Sequence, residues 1–484
     1  MSIKQKAANG IFWTFIDMFF TRGISIAASL LLAKMLGPYA FGLMGMINVF
    51  ILIGGILVDA GLTTSLIRTG NAGEKDYSTV FFANILFSIF IYLVIFMAAP
   101  LIAAFYGQQI LVSLIRTTCL IFIIGAFSAV QVAQFNKKMD FKTLALINIP
   151  STIIGVAVGL IMAYKGYNVW SIVFMQLAMQ ASNTIVTWFV SKWKPAMVFS
   201  GEKLREHVRF GYKLTLTSLL GTIFDNLYNI FIGKFYSVKE LGYYERSNTF
   251  IGYPVIILSG IVGKVSYPLL SHMQDDPLMV ERVYKKILNI TFFVSAPLMV
   301  CLVAVARPLF LLLLGASWEP MVPYFQILAL AAMLYPLHAF NINVLRVKGE
   351  TGLLLRMEFL KRIILCVLIV FSIRMGIYWL LWSSVLYSVI CFFINAFNCG
   401  KFINYRVWEQ LGDVTPTILA SLVMFVTMFF LQQVLGHLPL WVQIALPVVA
   451  GGCSYLLLNY FINRSAVKFF LSAAVIAKQQ LGFK

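Results

Sequence analysis

Long apolar runs, broken by short and mostly polar interruptions, fill the chain from end to end. A helix needs about 20 mostly apolar residues to cross the hydrocarbon core of a bilayer. On that rule fourteen segments qualify: 9–34, 40–65, 79–105, 109–135, 144–164, 168–191, 211–236, 244–271, 286–314, 321–345, 353–373, 375–399, 414–434 and 440–462. The pattern predicts an all-α polytopic membrane protein. The opening stretch "MSIKQKAANGIFWTFIDMFF" has the Lys-then-apolar order of a secretory signal. Its apolar run outlasts the roughly 7 to 15 residues of a signal core and no small-residue cleavage site follows, so it reads as the first membrane helix.

Two of the interruptions share a pattern. "AKMLGPYAFGLMGMINVF" at 33–50 and "GKFYSVKELGYYERSNTF" at 233–250 carry Lys34 and Lys234, Gly42 and Gly242, Asn48 and Asn248, Phe50 and Phe250 at the same relative places. Farther on, "AAPLIAAFYG" at 98–107 resembles "ARPLFLLLLG" at 306–315, and 131–138 aligns loosely with 341–348. The matches occur in order, so helices 1 to 6 look related to helices 7 to 12. An even number of helices per repeat makes the two copies parallel, related by an axis along the membrane normal. The expected organisation is an N-lobe at 1–191, a basic cytoplasmic linker at 192–210, a C-lobe at 211–400, a linker at 401–413, helices 13 and 14 within 414–463 and a basic tail at 464–484. Within the first repeat, "LGP" would end helix 1, since Gly and Pro stop a helix.

Composition agrees with this reading. Of the 484 residues 61% are apolar and only 11% charged, well below the charged quarter of a soluble domain. The net charge of +19 would point to nucleic acid in a soluble chain, but here the basic residues sort by side. With the N-terminus in the cytoplasm, about 28 of the 37 lysines and arginines fall on inside connections, and the positive-inside rule then places both termini in the cytoplasm. That count assigns Lys361 and Arg362 to a cytoplasmic connection. The six cysteines lie in or at the ends of apolar runs, without the Cys/His spacing of a metal site, and are expected to pack. No metal or cofactor is expected.

No G-x-x-x-x-G-K-[ST] loop is present, so the chain is not expected to hydrolyse ATP. No long external loop and no catalytic carboxylate pair point to an enzyme. Transport remains, and ionisable groups inside spans become the candidates, because each costs about 2.5 to 3.5 kcal/mol to insert. Arg22 and Asp17 lie in helix 1, Asp59 in helix 2, Arg116 in helix 4, Asp225 in helix 7 and Arg307 late in helix 9. Asp225 with Asn226 and Asn229 makes helix 7 polar, and Asp225 and Asn229 fall on one face. By the repeat, Arg22 and Asp225 would face each other across the centre. Asp225 can equally be a purely structural partner. Arg116 can snorkel, and Arg307, before Pro308, more simply marks a break near an interface. Lys264 and Arg68 end helices on the inside, where topology alone explains them. His338, Asn341 and Asn343 can bind sugar hydroxyls, although helix-to-helix hydrogen bonding is the commoner use.

Taken together, "LGPYAFG", "DAGLTTSLIR", "DYSTVFFANI", "IGKFYSVKELGYY" and "LLGASWEPMVPYFQILAL" resemble the polysaccharide transporter family, the Wzx-type flippases of the multidrug/oligosaccharidyl-lipid/polysaccharide exporter superfamily. The resemblance covers essentially the whole chain. It implies two six-helix lobes in a V, with helices 1, 2, 7 and 8 lining a cavity and helices 13 and 14 beside them. It also implies the substrate, an undecaprenyl-diphosphate-linked oligosaccharide moved from the inner to the outer leaflet of the bacterial inner membrane. Membrane lipids, a glycan polymerase and a chain-length regulator would be the partners, and nucleic acid would not. A diphosphate in a low-dielectric cavity needs cations, and a guanidinium fork fits phosphate oxygens best. Arg22 is then the first choice for head-group contact, followed by Lys264, Arg68 and Arg116, with Asn226 and Asn229 as polar lining. Asp17, Asp59 and Asp225 are the candidates for ion coupling or gating. The alternatives are a drug or cation antiporter of the same superfamily, with an acidic or apolar cavity, and a non-transporting scaffold for glycan assembly.

Overall fold

The computed structural model describes residues 3–273 and 276–464. Among these residues the chain is helical, without strands. In order come α1 (Ile3–Asp59), α2 (Leu62–Arg68), α3 (Glu74–Tyr106), α4 (Ile110–Thr118), α5 (Leu120–Lys137), α6 (Phe141–Tyr164), α7 (Trp170–Val190), α8 (Gly201–Asp225) and α9 (Leu227–Phe235). Then follow α10 (Val238–His272), α11 (Pro277–Leu313), α12 (Met321–Ala332), α13 (Tyr335–Val347), α14 (Thr351–Ser372), α15 (Ile377–Ile403), α16 (Val407–Val434) and α17 (Leu440–Ile462).

The 57 residues of α1 would reach roughly 85 Å as one rod at 1.5 Å per residue, nearly three times the hydrocarbon core. The break is at Gly37, with φ 70° and ψ 180°, a left-handed φ that glycine adopts without the penalty a Cβ brings. Pro38 follows, lacking an N–H and crowding the preceding turn. The predicted stop at "LGP" is therefore where the two arms, 3–36 and 38–59, part. Nine helical stretches among the described residues are long and apolar enough to cross a membrane, the first of them 51 residues long. Three other predicted spans fall on α7, on α8 with α9 and on α14, whose amides and charges lower their hydropathy, and one falls on α10. The fourteen predicted spans are thus not all of the same apolar kind.

By its contacts the chain divides into two compact units, one ending at Gly242 and the other starting at Tyr243. In the first unit α6 packs closely on α7 because glycines on α6 leave room for methionines. A Cβ on Gly155 would sit 2.7 Å from Met179 Cβ, and one on Gly159 2.8 Å from Met175 Cβ. A second close approach joins the two halves of the sequence repeat. The Gly42 backbone lies directly against the Val238 carbonyl, and the Gly242 backbone against the Pro38 carbonyl, with no room for a Cβ at either. Pro38 and Val238 are themselves separated by the repeat offset, so the crossing is reciprocal.

The connection after α7 is shorter than the predicted linker. Only 191–200 is non-helical, and α8 already begins at Gly201. The stretch is held along the start of α3: Ala196 N donates to Ser78 Oγ and Ser200 N to Thr79 Oγ1, each at 3.0 Å. Ser200 then caps α8 by accepting from Lys203 N. One turn on, buried His207 bridges Ser65 of α2, Oγ to Nδ1 2.8 Å, and Asp76 of α3, Nε2 to Oδ1 3.3 Å. Lys203 Nζ reaches the same Asp76 oxygen at 3.3 Å. Burial alone would raise the Asp76 pKa, but the Gly73 N–H, Lys203 and His207 outweigh it and hold the carboxyl below its ordinary range. The second predicted linker, 401–413, is similarly compressed, since α15 runs to Ile403 and α16 starts at Val407. Of the predicted tail, 465–484 lies outside the described residues.

The second unit is built on aromatics. Tyr284 of α11 stacks on Phe340 of α13, centroids 4.6 Å apart, and meets Tyr405 edge-on at 5.6 Å. Helices α16 and α17 pack on α11: Gly451 leaves space for Met428, and Tyr455 Oη donates to the Phe293 carbonyl at 2.8 Å.

Candidate functional site

On α7, Gln176, Gln180 and Asn183 recur at i, i+4 and i+7, which sets three amides on one face. Asn148, Ser151 and Thr152 of α6 and Thr21, Arg22 and Ser25 of the first arm of α1 complete a polar cavity of about 430 Å³, closed by Ile121 and Met179. Arg22 is exposed at this cavity. Asp17 stands one turn away, bound into the wall: its Oδ2 accepts from Asn148 Nδ2 at 3.2 Å, and Asn148 Oδ1 accepts from Asn183 Nδ2 at 2.9 Å. The other carboxylate oxygen, Oδ1, is buried with no hydrogen-bond partner. A buried acceptor left so costs about 1 to 3 kcal/mol. It is a ready place for an incoming O–H or cation.

Chemically, the lining offers a guanidinium that suits paired phosphate oxygens and several amides, each able to donate and accept as a sugar hydroxyl requires. A second cavity of about 370 Å³ contains Asp59, with Gly61 and Thr64 on one side and Thr215 and Ser218 of α8 on the other. Asp59 Oδ1 accepts from Thr63 N at 3.3 Å. Gly61, at φ 71°, lies so close to Gly211 of α8 that a Cβ on it would come 2.6 Å from the Gly211 Cα.

The remaining predicted residues are elsewhere. Arg116 lies over the Phe96 ring, 4.0 Å from its centroid, and donates from Nε to the Phe96 carbonyl at 3.3 Å. Arg68 lies 4.1 Å above Phe210. Asn226 sits at the junction of α8 and α9, where its Nδ2 donates to Thr222 O at 2.8 Å and its Oδ1 accepts from Asn229 at 3.2 Å. Asp225 is exposed at the end of α8 and does not line the Arg22 cavity. The side chain of Lys264, on α10, lies outside the described residues. Arg307 pairs with Glu319 at 2.9 Å, both exposed. Asn341 bonds Tyr284, and Asn343 Nδ2 donates to Ser266 Oγ at 3.0 Å, so both amides join helices.

Sequence reasoning singled out Arg22 and Asp17 but not the amides that stand around them. The signal was present: Gln176, Gln180 and Asn183 are polar residues at helical spacing inside an apolar run, and Asn148 precedes a mid-helix Pro150.

Comparison with known proteins adds the relatives. Residues 31–323 match the family described as "Polysaccharide biosynthesis protein". Teichuronic acid biosynthesis protein TuaB of Bacillus subtilis is 25% identical over 94% of this chain and 96% of its own length. Succinoglycan biosynthesis transport protein ExoT of Rhizobium meliloti is 23% identical over 97% and 96%. Among solved structures, the lipid II flippase MurJ in an inward closed conformation superposes with a TM-score of 0.74 at 15% identity, covering 94% of this chain and 100% of that one. At that identity the likeness is one of fold. The chain belongs to the polysaccharide biosynthesis protein family.

Proposed function

We propose that this protein flips an undecaprenyl-diphosphate-linked oligosaccharide from the inner to the outer leaflet of the bacterial inner membrane, with both termini in the cytoplasm. It makes and breaks no covalent bond. The observation that carries the reading is the polar cavity in which exposed Arg22 stands among the amides of α6 and α7. Arg22 would take the diphosphate, and Gln176, Gln180 and Asn183 would take hydroxyls of the first sugars. The prenyl tail stays in lipid throughout, because burying a chain that long in a polar cavity would forfeit its transfer energy.

The two six-helix lobes of the repeat, 1–191 and 211–400, would alternately admit the head group from either side, as binding shifts the balance between two states. A glycan polymerase and a chain-length regulator would receive the product. Asp17 supports a second reading, a cation-coupled antiporter, since a carboxylate with one unpartnered oxygen could also take a cation.

Reconstitution with a lipid-linked oligosaccharide tests both. The expected result is protected, outward-facing glycan with the wild type and a loss of at least about tenfold with Arg22→Ala, in line with one charge-assisted contact of roughly 1.5 to 3 kcal/mol. Unimpaired glycan transfer by correctly inserted Arg22→Ala would remove Arg22 from the site. Cation-driven drug efflux without glycan transfer would favour the antiporter.

A further inference from the structure

A chain of buried polar side chains in the second unit has no part in the cavity chemistry. On α14, Lys361 is only 5% exposed. It lies ten residues beyond Thr351, about 15 Å along the helix. Its ammonium pairs with Glu358, less than one turn earlier, and donates to Asn395 Oδ1 of α15 at 3.5 Å. Asn395 Nδ2 lies 3.4 Å from His338 Nδ1 of α13. His338 Nε2 lies 3.3 Å from Ser388 Oγ of α15, which donates to the Ala331 carbonyl of α12 at 2.7 Å.

Donor and acceptor rules give this chain a direction. An ammonium only donates, so Asn395 turns its oxygen to Lys361 and its NH2 to His338. His338 Nδ1 therefore accepts. Ser388 has committed its proton to Ala331, so His338 Nε2 carries the hydrogen. The imidazole is neutral, and its tautomer follows from its neighbours. A proton added at Nδ1 would set two donors against each other. Asn395 would then have to turn over, which brings its NH2 against the Lys361 ammonium.

We propose that His338, Asn395 and Lys361 form a proton-binding switch. One proton from water, admitted past Glu358, adds to His338 Nδ1; Asn395 rotates to accept from it, and Lys361 loses its amide partner. The reverse step returns the proton to water, and nothing else is consumed. Glu358 is 44% exposed and connects the chain to the surface of the unit. The charged and titratable groups around His338 and Lys361 are Glu358 and Arg362 on α14, Tyr387 and Cys391 on α15, and Tyr335 on α13, edge-on to the His338 ring with centroids 6.0 Å apart. Lys361, Asn395 and Ser388 are too buried to admit a sugar or a hydrated ion, whereas a proton needs only a hydrogen-bonded path. Uptake from one side and release to the other would couple a proton gradient to transport, and this last step alone rests on the flippase reading.

Two measurements test the proposal. The full chain, labelled with 15N-histidine in lipid nanodiscs, is titrated by NMR from about pH 4 to 9, a range that brackets imidazole, with His338→Gln to assign the signal. Removing the like charge in Lys361→Met is expected to raise the His338 midpoint by about one pH unit or more, and removing the exposed carboxylate in Glu358→Gln to lower it. Should Lys361→Met not fold, Glu358→Gln still decides. A His338 that never titrates in any of these proteins, or whose midpoint neither variant moves, overturns the site. In proteoliposomes carrying undecaprenyl-diphosphate-linked oligosaccharide, an imposed pH gradient is expected to speed glycan transfer several-fold in the wild type, and His338→Gln to lose that acceleration. Transfer by the wild type indifferent to the gradient overturns the coupling. No transfer at all by the wild type counts against the flippase reading instead, and the titration still decides the proton site.

Discussion

Asn148 Nδ2 donates to Asp17 Oδ2 at 3.2 Å and so ties α6 to the first arm of α1. The bond is charge-assisted on the acceptor side. Asn148→Leu is expected to cost about 1.5 to 3 kcal/mol, because it strands a carboxylate that already has one unpartnered oxygen. Asn183→Leu breaks only a neutral amide pair and is expected to cost about 0.5 to 1.5 kcal/mol. Unfolding in nanodiscs ranks the two; the reverse order would mean that Asp17 does not depend on Asn148.

The glycines of the repeat act as one contact. Gly42→Ala and Gly242→Ala should each push a backbone carbonyl away, at about 1 to 3 kcal/mol for overpacking. Once the first Cβ has separated the helices the second meets less resistance, so the double variant should cost clearly less than the sum. Strictly additive losses in a double-mutant cycle would show the two sites to be independent.

Acid should loosen the latch between α3 and α8. The Asp76 carboxyl is held below its ordinary range by Gly73 N–H, Lys203 and His207. Its contribution is complete above the ordinary carboxylate pKa of about 4 and is lost as the pH falls through the lowered folded value. Asp76→Asn should therefore lower the melting temperature at neutral pH, with the difference from wild type shrinking only at strongly acid pH. A difference that persists undiminished through the strongly acid range would show that it does not come from the Asp76 charge.

Arg116 is expected to be structural. Arg116→Gln should lose a cation–π contact and one hydrogen bond, about 1 to 3 kcal/mol together, and keep glycan transfer in the fraction that folds. Transfer per folded molecule is the quantity to compare with Arg22→Ala. Equal losses would return Arg116 to the binding machinery.

Much of the fold was legible because hydrophobic run length is a strong signal: the break at Gly37 and most helix ends fall where Gly, Pro and polar residues stand. The linkers were overestimated, since a cap such as Ser200 starts its helix well before the apolar run begins. The site was legible only in its charges. Arg22 and Asp17 stand out in an apolar run, whereas neutral amides such as Asn148 and Gln180 hardly perturb hydropathy. Lys361 shows the opposite error. A side counting of cations assigns it to a loop, yet α14 buries it while its ammonium pairs with the exposed Glu358. Which long side chain snorkels and which is buried depends on the neighbouring helix, and no single run of sequence contains that.

The reciprocal crossing of Pro38 and Gly42 with Val238 and Gly242 has the form of an isologous surface, in which the same patch serves as both key and lock. A polypeptide bearing one copy of the segment would already present everything a second molecule of itself needs to dock there. Joining two such copies end to end would then add no new interface, only permanence, and each later substitution in one glycine would be felt by the other.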